Sequence, residues 1–222
     1  MDRVPVFVGL DYHSDPVQVC VVDEQGQVRG NRPCGNDWQR IVEYAERHGR
    51  VVRAAIEAST GAAHLAEELA DRAGWVVDMA HPGYVARMKQ NPDKTDYSDS
   101  RMLADLERVG YLPRVWMAPA EVRELRRLVR RRQQLVDERR STKLRIRALL
   151  RDHRLQDPLH RPWTRGWFCW LKNTEALGGH SRWIMNEYLQ DLEGLAERIL
   201  ATEKRLEEAT VDDVLVQRLI QQ

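Results

Sequence analysis

The stretch FVGLDYHSD, residues 7–15, begins with an apolar run and places a carboxylate, Asp11, at the end of it. Together with the residues before it, VPVFVGLDY is apolar and β-branched, which predicts a buried strand. An ionised carboxylate is costly to bury without a partner, so Asp11 needs a compensating group. Taken alone, Asp11 fits a turn-capping residue as well as it fits a functional carboxylate.

Strands and helices alternate from residue 1 to about residue 116. PVQVCVVDEQGQVRG predicts two strands around a turn at Glu24–Gln27, where Gly26 supplies backbone freedom. Further strands are predicted at VVRAAIEAS and WVVDMA, and helices at DWQRIVEYAERHG, GAAHLAEELADRAG and KTDYSDSRMLADLERVGY, the first two ended by Gly49 and Gly74. A hairpin followed by alternating helices and strands predicts an α/β fold with a mixed sheet flanked by helices.

The composition limits the class of protein. The chain has 222 residues, of which 42% are hydrophobic and 31% are charged, and its net charge is +1. The three cysteines are widely separated, without metal-ligand spacing, which predicts reduced thiols. No apolar run approaches the ~20 residues that span a membrane, and the N-terminus lacks a signal-peptide core. We therefore expect a cytoplasmic protein with no membrane partner.

The second half of the chain has a different character. Residues 120–154 predict one long helix without internal glycine or proline, carrying thirteen Arg and Lys against five Asp and Glu. Its apolar residues recur at steps of three and four, which predicts a seam near the heptad period. The predicted seam consists of Val122, Leu125, Val129, Val136, Ile146 and Leu150.

A second helix is predicted for roughly Ser181–Ala209, after a break at Pro158–Gly166. From Glu187 to Asp213 the chain carries nine acidic residues and three basic ones. The two helices predict a helical hairpin or coiled coil over residues 117–222. Because apolar seams of this length rarely stay exposed, we expect this region also to pair two chains, as a homodimer or a higher homo-oligomer.

Four carboxylates occupy positions suited to metal-dependent chemistry. Asp11 and Glu57 end two predicted strands, and Asp96 and Asp99 open a predicted helix at i and i+3, which places both on one face. Like charges at this spacing repel each other, and a fold tolerates the repulsion when a cation lies between them. Mg²⁺ and Mn²⁺ are cations that take oxygen ligands. Each carboxylate also has a structural interpretation: Asp96 and Asp99 as cap and first-turn acid, and Glu57 as a partner of Arg53.

Several motifs, in order, give a family resemblance: GLDYHSD, EASTG, HPGYVARMK, KTDYSDSRMLADL and GYLPRVWMAP, then an Arg-rich helix. They resemble the insertion-sequence transposases with a DEDD carboxylate set, relatives of the Piv-type DNA invertases. The resemblance covers nearly the whole chain. It implies an RNase H-like, RuvC-like catalytic domain at residues 1–116 and assigns its metal-binding catalytic set to Asp11, Glu57, Asp96 and Asp99. It further implies DNA and a noncoding guide RNA as partners.

The sequence also departs from the family pattern, without losing a carboxylate. Tyr97 stands where the family usually has a basic residue, Ser100 where it has a small apolar one, and Tyr12 and Ser14 differ after the first aspartate. Family members continue into a C-terminal domain with a nucleophilic serine. This chain stops at Gln222, so we expect that domain to be absent and complete strand exchange to lie beyond these residues.

The Arg-rich helix predicts a nucleic-acid-binding surface whose contacts to phosphate are salt-sensitive. The alternative is a basic helix that only faces the acidic helix within a hairpin; we expect both, since thirteen cations exceed what nine acids and the seam can cover. Trp163, Trp167 and Trp170 fit i, i+4, i+7, and we interpret them as packing rather than as base-stacking residues. The residues expected to bind nucleic acid are Arg123, Arg126, Arg127, Arg130, Arg131, Arg140, Lys143 and Arg147.

The resemblance thus implies a DNA transposase that cleaves strands with Mg²⁺ or Mn²⁺, in a bacterial cytoplasm and at the nucleoid. His13 is expected to support the metal ligands. Two other functions stay open: a RuvC-like nuclease that uses water attack, and a non-catalytic module for nucleic-acid binding and dimerisation.

Overall fold

The computed structural model describes residues 3–88, 95–156, 161–213 and 216. Lys94, which opens the KTDYSD motif, and Pro158, at which the break is predicted to begin, lie outside the described residues. The chain divides into two compact units, residues 1–117 and 118–222. Each unit has its own hydrophobic core.

A six-stranded sheet forms the N-terminal unit. Its strands are β1 (Pro5–Asp11), β2 (Val17–Asp23), β3 (Val28–Cys34), β4 (Arg50–Glu57), β5 (Val77–Ala80) and β6 (Arg114–Val115). Their order is β3-β2-β1-β4-β5-β6. The pairs β1–β4 and β4–β5 are parallel and the other pairs are antiparallel. This arrangement confirms the predicted mixed sheet and the RNase H-like fold class.

Helices cover both faces of the sheet, and alternation along β1 decides which residues meet them. The helices are α1 (Trp38–Glu46), α2 (Ala62–Ala73), α3 (Pro82–Met88) and α4 (Asp96–Arg108). Val6, Val8 and Leu10 point into a core shared with α1 and α2. Successive side chains of a strand point to opposite faces, so Gly9 and Asp11 lie on the other face. There α4 packs directly against the backbone at Gly9.

The sequence missed two short elements of this unit. α3 begins at Pro82, a residue that favours the first helical position, but its seven residues carry too little periodicity to predict a helix. β6 has two residues, too few for an alternating pattern. The first predicted helix also ends earlier than expected, at Glu46 rather than at Gly49.

Three helices form the described part of the C-terminal unit: α5 (Ala120–Asp152), α6 (Arg165–Asn173) and α7 (Gly179–Ala209). α5 and α7 run antiparallel, because Leu135 packs against Ile199 near one end of the pair while Ile146 packs with Met185 near the other. α6, which was not predicted as a helix, closes the second of these clusters with the buried Trp167.

The predicted seam on α5 is wrong at Val129. Val129 is 52% exposed, whereas Leu135 and Thr142 are buried at the contact with α7. The reason is that polar residues, Thr142 and the half-buried Arg132, occupy part of the true seam. Apolar periodicity therefore included Val129, which lies on a neighbouring exposed stripe, together with Val136, Ile146 and Leu150, which do pack in the cores of this unit.

Charge pairing contributes little to the joining of α5 and α7. Between these two helices, within the residues that the structure describes, one salt bridge is present, with Arg132 Nη2 at 2.6 Å from Glu203 Oε1. The apolar seam holds the pair together, and most cations of α5 face away from it. None of the described helices combines the length and the hydropathy that a membrane span requires.

Candidate metal centre

The carboxyl ends of β1 and β4 meet at one edge of the sheet. The two strands are parallel neighbours in which Leu10 pairs with Ile56, so Asp11 and Glu57 are the next residues of their strands. Leu10 and Ile56 point into the core on one face. Asp11 and Glu57 therefore belong to the opposite face, on which α4 lies.

The first turn of α4 is fixed by its cap. The Thr95 side chain accepts from the backbone N–H of Ser98, and the Ser98 side chain bonds back to the Thr95 backbone, which completes a capping box. Asp96 and Asp99 are the acidic residues of this turn. Asp96 is exposed to solvent, whereas Asp99 is only 5% exposed and faces the sheet.

Asn31 of β3 ties the same turn to the sheet. Its Nδ2 donates to the Tyr97 carbonyl oxygen at 3.0 Å. Its Oδ1 accepts from Gln18 Nε2 at 2.7 Å and from the Ser100 hydroxyl at 3.3 Å. Ser100, which departs from the family pattern, thus gains a specific hydrogen-bonding role. These bonds set the height of the first turn of α4 above the strand end.

Three side chains converge where β1 ends and α4 begins. His13 Nε2 lies 3.2 Å from Asp11 Oδ2 and 3.5 Å from Asp96 Oδ1. One ligand atom from each of Asp11, His13 and Asp96 lies within 4.8 Å of the others, the spacing of a group that can hold a metal ion. The loop carrying His13 is held by Asn36, whose Nδ2 donates to the His13 carbonyl oxygen at 3.3 Å.

The electrostatics of Asp11 reflect this crowding. Burial raises the pKa of the Asp11 carboxyl above its ordinary value. The His13 imidazole opposes the rise, by charge and by hydrogen bond, whereas the carboxylates of Asp99 and Asp96 add to it. A cation beside Asp11 would relieve both the burial of its charge and the repulsion from its neighbours.

Only some of the four predicted carboxylates belong to the group formed by Asp11, His13 and Asp96. Asp11 and Asp96 belong to it, while Glu57 and Asp99, among the residues that the structure describes, lie outside the 4.8 Å group. Asp99 still acts on Asp11 through its charge. His13 was expected only to support the ligands, and the structure places it among the candidate ligands. The sequence signal for this placement was the position of His13 two residues after Asp11, since residues at this spacing share a face in an extended chain.

The eight predicted nucleic-acid-binding residues all lie on α5, and Arg123, Lys143 and Arg147 contact backbone or aromatic groups of the C-terminal unit. Arg123 donates to the Ala118 carbonyl oxygen at 2.7 Å. Lys143 Nζ lies 4.7 Å, and the Arg147 guanidinium 5.9 Å, from the centre of the Trp163 ring. Burial lowers the pKa of Lys143, and the positive charges of two neighbouring arginines add to this shift.

The other predicted cations of α5 are exposed, namely Arg126, Arg127, Arg130, Arg131 and Arg140. Arg127 forms a salt bridge with Glu124, and Arg131 Nη1 lies 3.9 Å from Glu138 Oε1. Within the part of the chain that the structure describes, neither Arg130 nor Arg140 forms a salt bridge. Of the eight predicted residues, these two are therefore well placed to meet an external anion.

Residues 8–154 match the family model of the IS110-type DEDD transposases, described as transposase. The chain belongs to this transposase family. The match runs from β1 to the end of α5. It therefore includes all three residues of the candidate metal group, Asp11, His13 and Asp96. No curated protein matches the chain. Membership in the IS110-type family makes this an insertion-sequence transposase, an enzyme of DNA recombination whose partner is DNA.

Proposed function

We propose that this transposase cleaves DNA strands in a metal-dependent reaction, through the carboxylates of Asp11, Glu57, Asp96 and Asp99. The observation that supports this most directly is the group of Asp11, His13 and Asp96, with ligand atoms within 4.8 Å. It lies at the carboxyl end of the central strand β1, where adjacent elements bring side chains from distant parts of the sequence together. Each of these residues has a role in the proposal.

The donors in this group fit Mg²⁺ or Mn²⁺. Carboxylate oxygens are the ligands that these cations prefer, and the negative neighbours of Asp11 make the site attractive to a cation. Bound there, such an ion would supply activation of the attacking oxygen and stabilisation of the leaving oxygen in phosphodiester cleavage. Asp11 and Asp96 would hold it, His13 would orient Asp11, and Asp99 and Glu57 would complete the acidic set.

α5 would supply the affinity for nucleic acid. The acidic site cannot by itself attract a polyanion, because its charges repel phosphate. The outward cations of α5 offer the opposite charge, and Arg130 and Arg140 are the clearest examples, as they form no salt bridge within the described residues. Binding through such cations depends on counterion release and is therefore weakened by salt.

Two further partners belong to the proposal. The resemblance to guided members of the family supports a noncoding RNA that directs the transposase to its DNA. A homodimer or higher homo-oligomer is supported by apolar side chains that stay exposed on the paired helices, such as Val129, Leu144 and Leu200. Light scattering over a range of concentrations tests assembly, and a strict monomer at high concentration would contradict it.

The metal site is tested by calorimetric titration of Mn²⁺ into the apo protein. Asp11→Asn and Asp96→Asn should lose most of the binding, because each removes one anionic ligand. The matched control is Asp71→Asn, which neutralises an exposed carboxylate on α2 and should bind Mn²⁺ as the wild type does. Equal binding by wild type, Asp11→Asn and Asp71→Asn would reject the proposed site.

The charge on α5 favours one alternative function, a nucleic-acid-binding module without catalysis. Incubation of a labelled DNA duplex with the protein and Mn²⁺ distinguishes metal-dependent cleavage from binding without catalysis. Metal-dependent nicking that Asp11→Asn abolishes supports cleavage. Salt-sensitive DNA binding that Asp11→Asn leaves unchanged, with no nicking by the wild type, supports the binding module.

A further inference from the structure

A groove runs along the outer side of α4. It has a volume of about 390 Å³, and Tyr97, Arg101, Met102, Leu106 and Val109 are among its lining residues. Tyr97 directly follows Asp96 in the chain and is 49% exposed. The groove therefore combines an aromatic ring and apolar side chains with a cation, and its aromatic residue directly follows a candidate metal ligand in the chain.

We propose that this groove binds an unstacked nucleotide of the DNA strand that is cut, with its base against Tyr97 and its phosphate against Arg101. This inference rests on the proposed function, because it assumes that the strand passes the acidic group. Aromatic side chains stack on bases of any sequence, and each such contact adds to the affinity for a single strand. A base in a duplex is already stacked on its neighbours, so the groove should favour unpaired strands.

The backbone at Tyr97 is held in place before any ligand binds. Its carbonyl oxygen accepts hydrogen bonds from Asn31 Nδ2 at 3.0 Å and from the Ser100 hydroxyl at 3.2 Å. The turn that carries Tyr97 is therefore fixed to the sheet, which reduces the entropy lost when the ring stacks on a base. The same bonds keep Tyr97 in register with Asp96, so a stacked base and the candidate metal site would have a fixed separation.

The charges along the groove suit a phosphate near Tyr97. Arg101 lies one helical turn after Tyr97, on the same face of α4, and it is exposed. Within the described residues Arg101 forms no salt bridge. The acidic side chain on this groove, Asp105, is paired with Arg108, whose Nε lies 2.8 Å from Asp105 Oδ1. Among the described residues the cation of the groove therefore forms no salt bridge, whereas its acidic residue is paired with Arg108.

The test uses the full chain without divalent metal, so that no strand is cut. Fluorescence anisotropy measures its affinity for a labelled single-stranded DNA of roughly 12 nucleotides and for the corresponding duplex. Tyr97→Ala should weaken single-strand binding roughly tenfold and leave duplex binding unchanged, and Tyr97→Phe, which keeps the ring, should restore the affinity. Arg101→Gln should lower the salt slope of single-strand binding by about 0.7, the effect of one phosphate contact.

Matched controls are available in the same unit. Tyr111→Ala removes an exposed tyrosine that does not line the groove, and Arg50→Gln removes an exposed cation from the opposite end of β4. Neither should change single-strand affinity. The proposal would be overturned if Tyr97→Ala bound single-stranded DNA as tightly as the wild type does. It would also be overturned if Tyr97→Phe bound single-stranded DNA as weakly as Tyr97→Ala. A change in oligomeric state with Tyr97→Ala would overturn it too, because the groove would then be a contact between copies.

Failure of this inference differs from failure of the proposed function. Tyr97→Ala should bind Mn²⁺ as the wild type does, because it leaves the carboxylates in place. If Asp11→Asn binds Mn²⁺ normally while Tyr97→Ala loses single-strand affinity, the metal site is rejected and the groove is supported. The reverse result rejects the groove and supports the metal site.

Discussion

Gly9 of β1 faces the carbonyl oxygen of Ser100 on α4 so closely that a Cβ at Gly9 would lie less than 3.0 Å from it. Strand and helix are therefore in backbone contact at this point. Asp11 follows Gly9 by two residues on the same face, and Asp99 directly precedes Ser100. The absence of a side chain at Gly9 thus determines how near the strand-end carboxylate comes to the acidic first turn of the helix.

Replacing Gly9 with alanine should lower the free energy of unfolding by about 1–3 kcal/mol. The added methyl group overlaps backbone atoms of Ser100 and Ala104, which no side-chain rotation can relieve. Urea denaturation followed by circular dichroism measures the change. Gly194→Ala is the control: nothing lies within 4 Å of a Cβ on this glycine of α7, and the change should stabilise its helix by about 0.5–1 kcal/mol. Effects of the same sign in both variants would contradict this account.

A buried ionic network should make Glu107 essential to the stability of the N-terminal unit. Glu107 is 2% exposed, and its Oε1 accepts from Arg53 Nε at 2.7 Å and from Arg114 Nη2 at 2.8 Å. Both arginines also pair with Asp78 of β5, so the network fastens α4 to the sheet. Glu107→Ala should cost about 3 kcal/mol, since it leaves partly buried cations without one of their two carboxylates.

Thermal and urea denaturation of Glu107→Ala measure this cost. The control is Asp105→Ala, which breaks an ion pair with Arg108 at the surface of the same helix, and it should change stability by less than about 1 kcal/mol. A loss no larger than that of Asp105→Ala would show that the network adds little.

The two apolar stripes of α5 should respond differently to truncation. Leu135 is 1% exposed and packs against Leu195 and Ile199 of α7, so Leu135→Ala should cost about 2–5 kcal/mol. Val129→Ala, on the exposed stripe, should change stability by less than about 0.5 kcal/mol in the monomer. Denaturation at low protein concentration compares them. Similar losses for both variants would mean that the exposed stripe is buried, as in an assembly of several chains.

The two stripes also mark a limit of sequence-based prediction. Apolar spacing located α5 correctly, because a helix of this length without glycine or proline has a strong period. Apolar spacing could not decide whether Val129 or Leu135 is buried, since both fit a heptad. The answer depends on which side of α5 the helix α7 occupies. Trp163 was placed on one stripe with Trp167 and Trp170, yet it lies before α6 in a turn with positive φ, which its sequence does not signal.

The acidic site was predictable to a similar extent. The apolar strand before Asp11 and the acid pair at the start of a predicted helix located the carboxylates, because strand ends and first turns have clear sequence signals. The cap was expected at Asp96, whereas in the structure Thr95 is the N-cap and Asp96 is in the first turn. The contact between β1 and α4 depends on Gly9 and on the hydrogen bonds of Asn31. Both join residues that are far apart in the sequence, so no local pattern predicts them. The placement of His13 depends on a loop held by Asn36, and no local pattern reports such a contact.

His48 should make stability depend on pH. Burial lowers the pKa of His48 below its ordinary value of 6.5, and the positive charges of Arg32 and Arg47 add to the shift. Below about pH 6.5 the unfolded chain therefore binds a proton that the folded chain does not, so the free energy of unfolding should fall as the pH falls. His48→Gln should remove this part of the dependence. Urea denaturation at a series of pH values measures both slopes, and equal slopes would contradict the prediction.

The outward cations of α5 should account for the salt dependence of nucleic-acid binding. Within the described residues Arg130 and Arg140 form no salt bridge, so each can neutralise a phosphate. The double variant Arg130→Gln with Arg140→Gln should weaken binding to duplex DNA, and it should flatten the plot of log affinity against log salt by about 0.9 for each lost contact. Gel shifts over a salt series measure both effects.

Arg132→Gln is the matched control for these cations. Its guanidinium pairs with Glu203 at the contact between α5 and α7, so its loss should lower stability and leave the salt slope unchanged. Because the acidic group lies in the other unit, the double variant should also keep its Mn²⁺ binding. A salt slope that the double variant leaves at the wild-type value would mean that α5 only supports the helix pair, and another surface of the transposase would then have to hold the DNA.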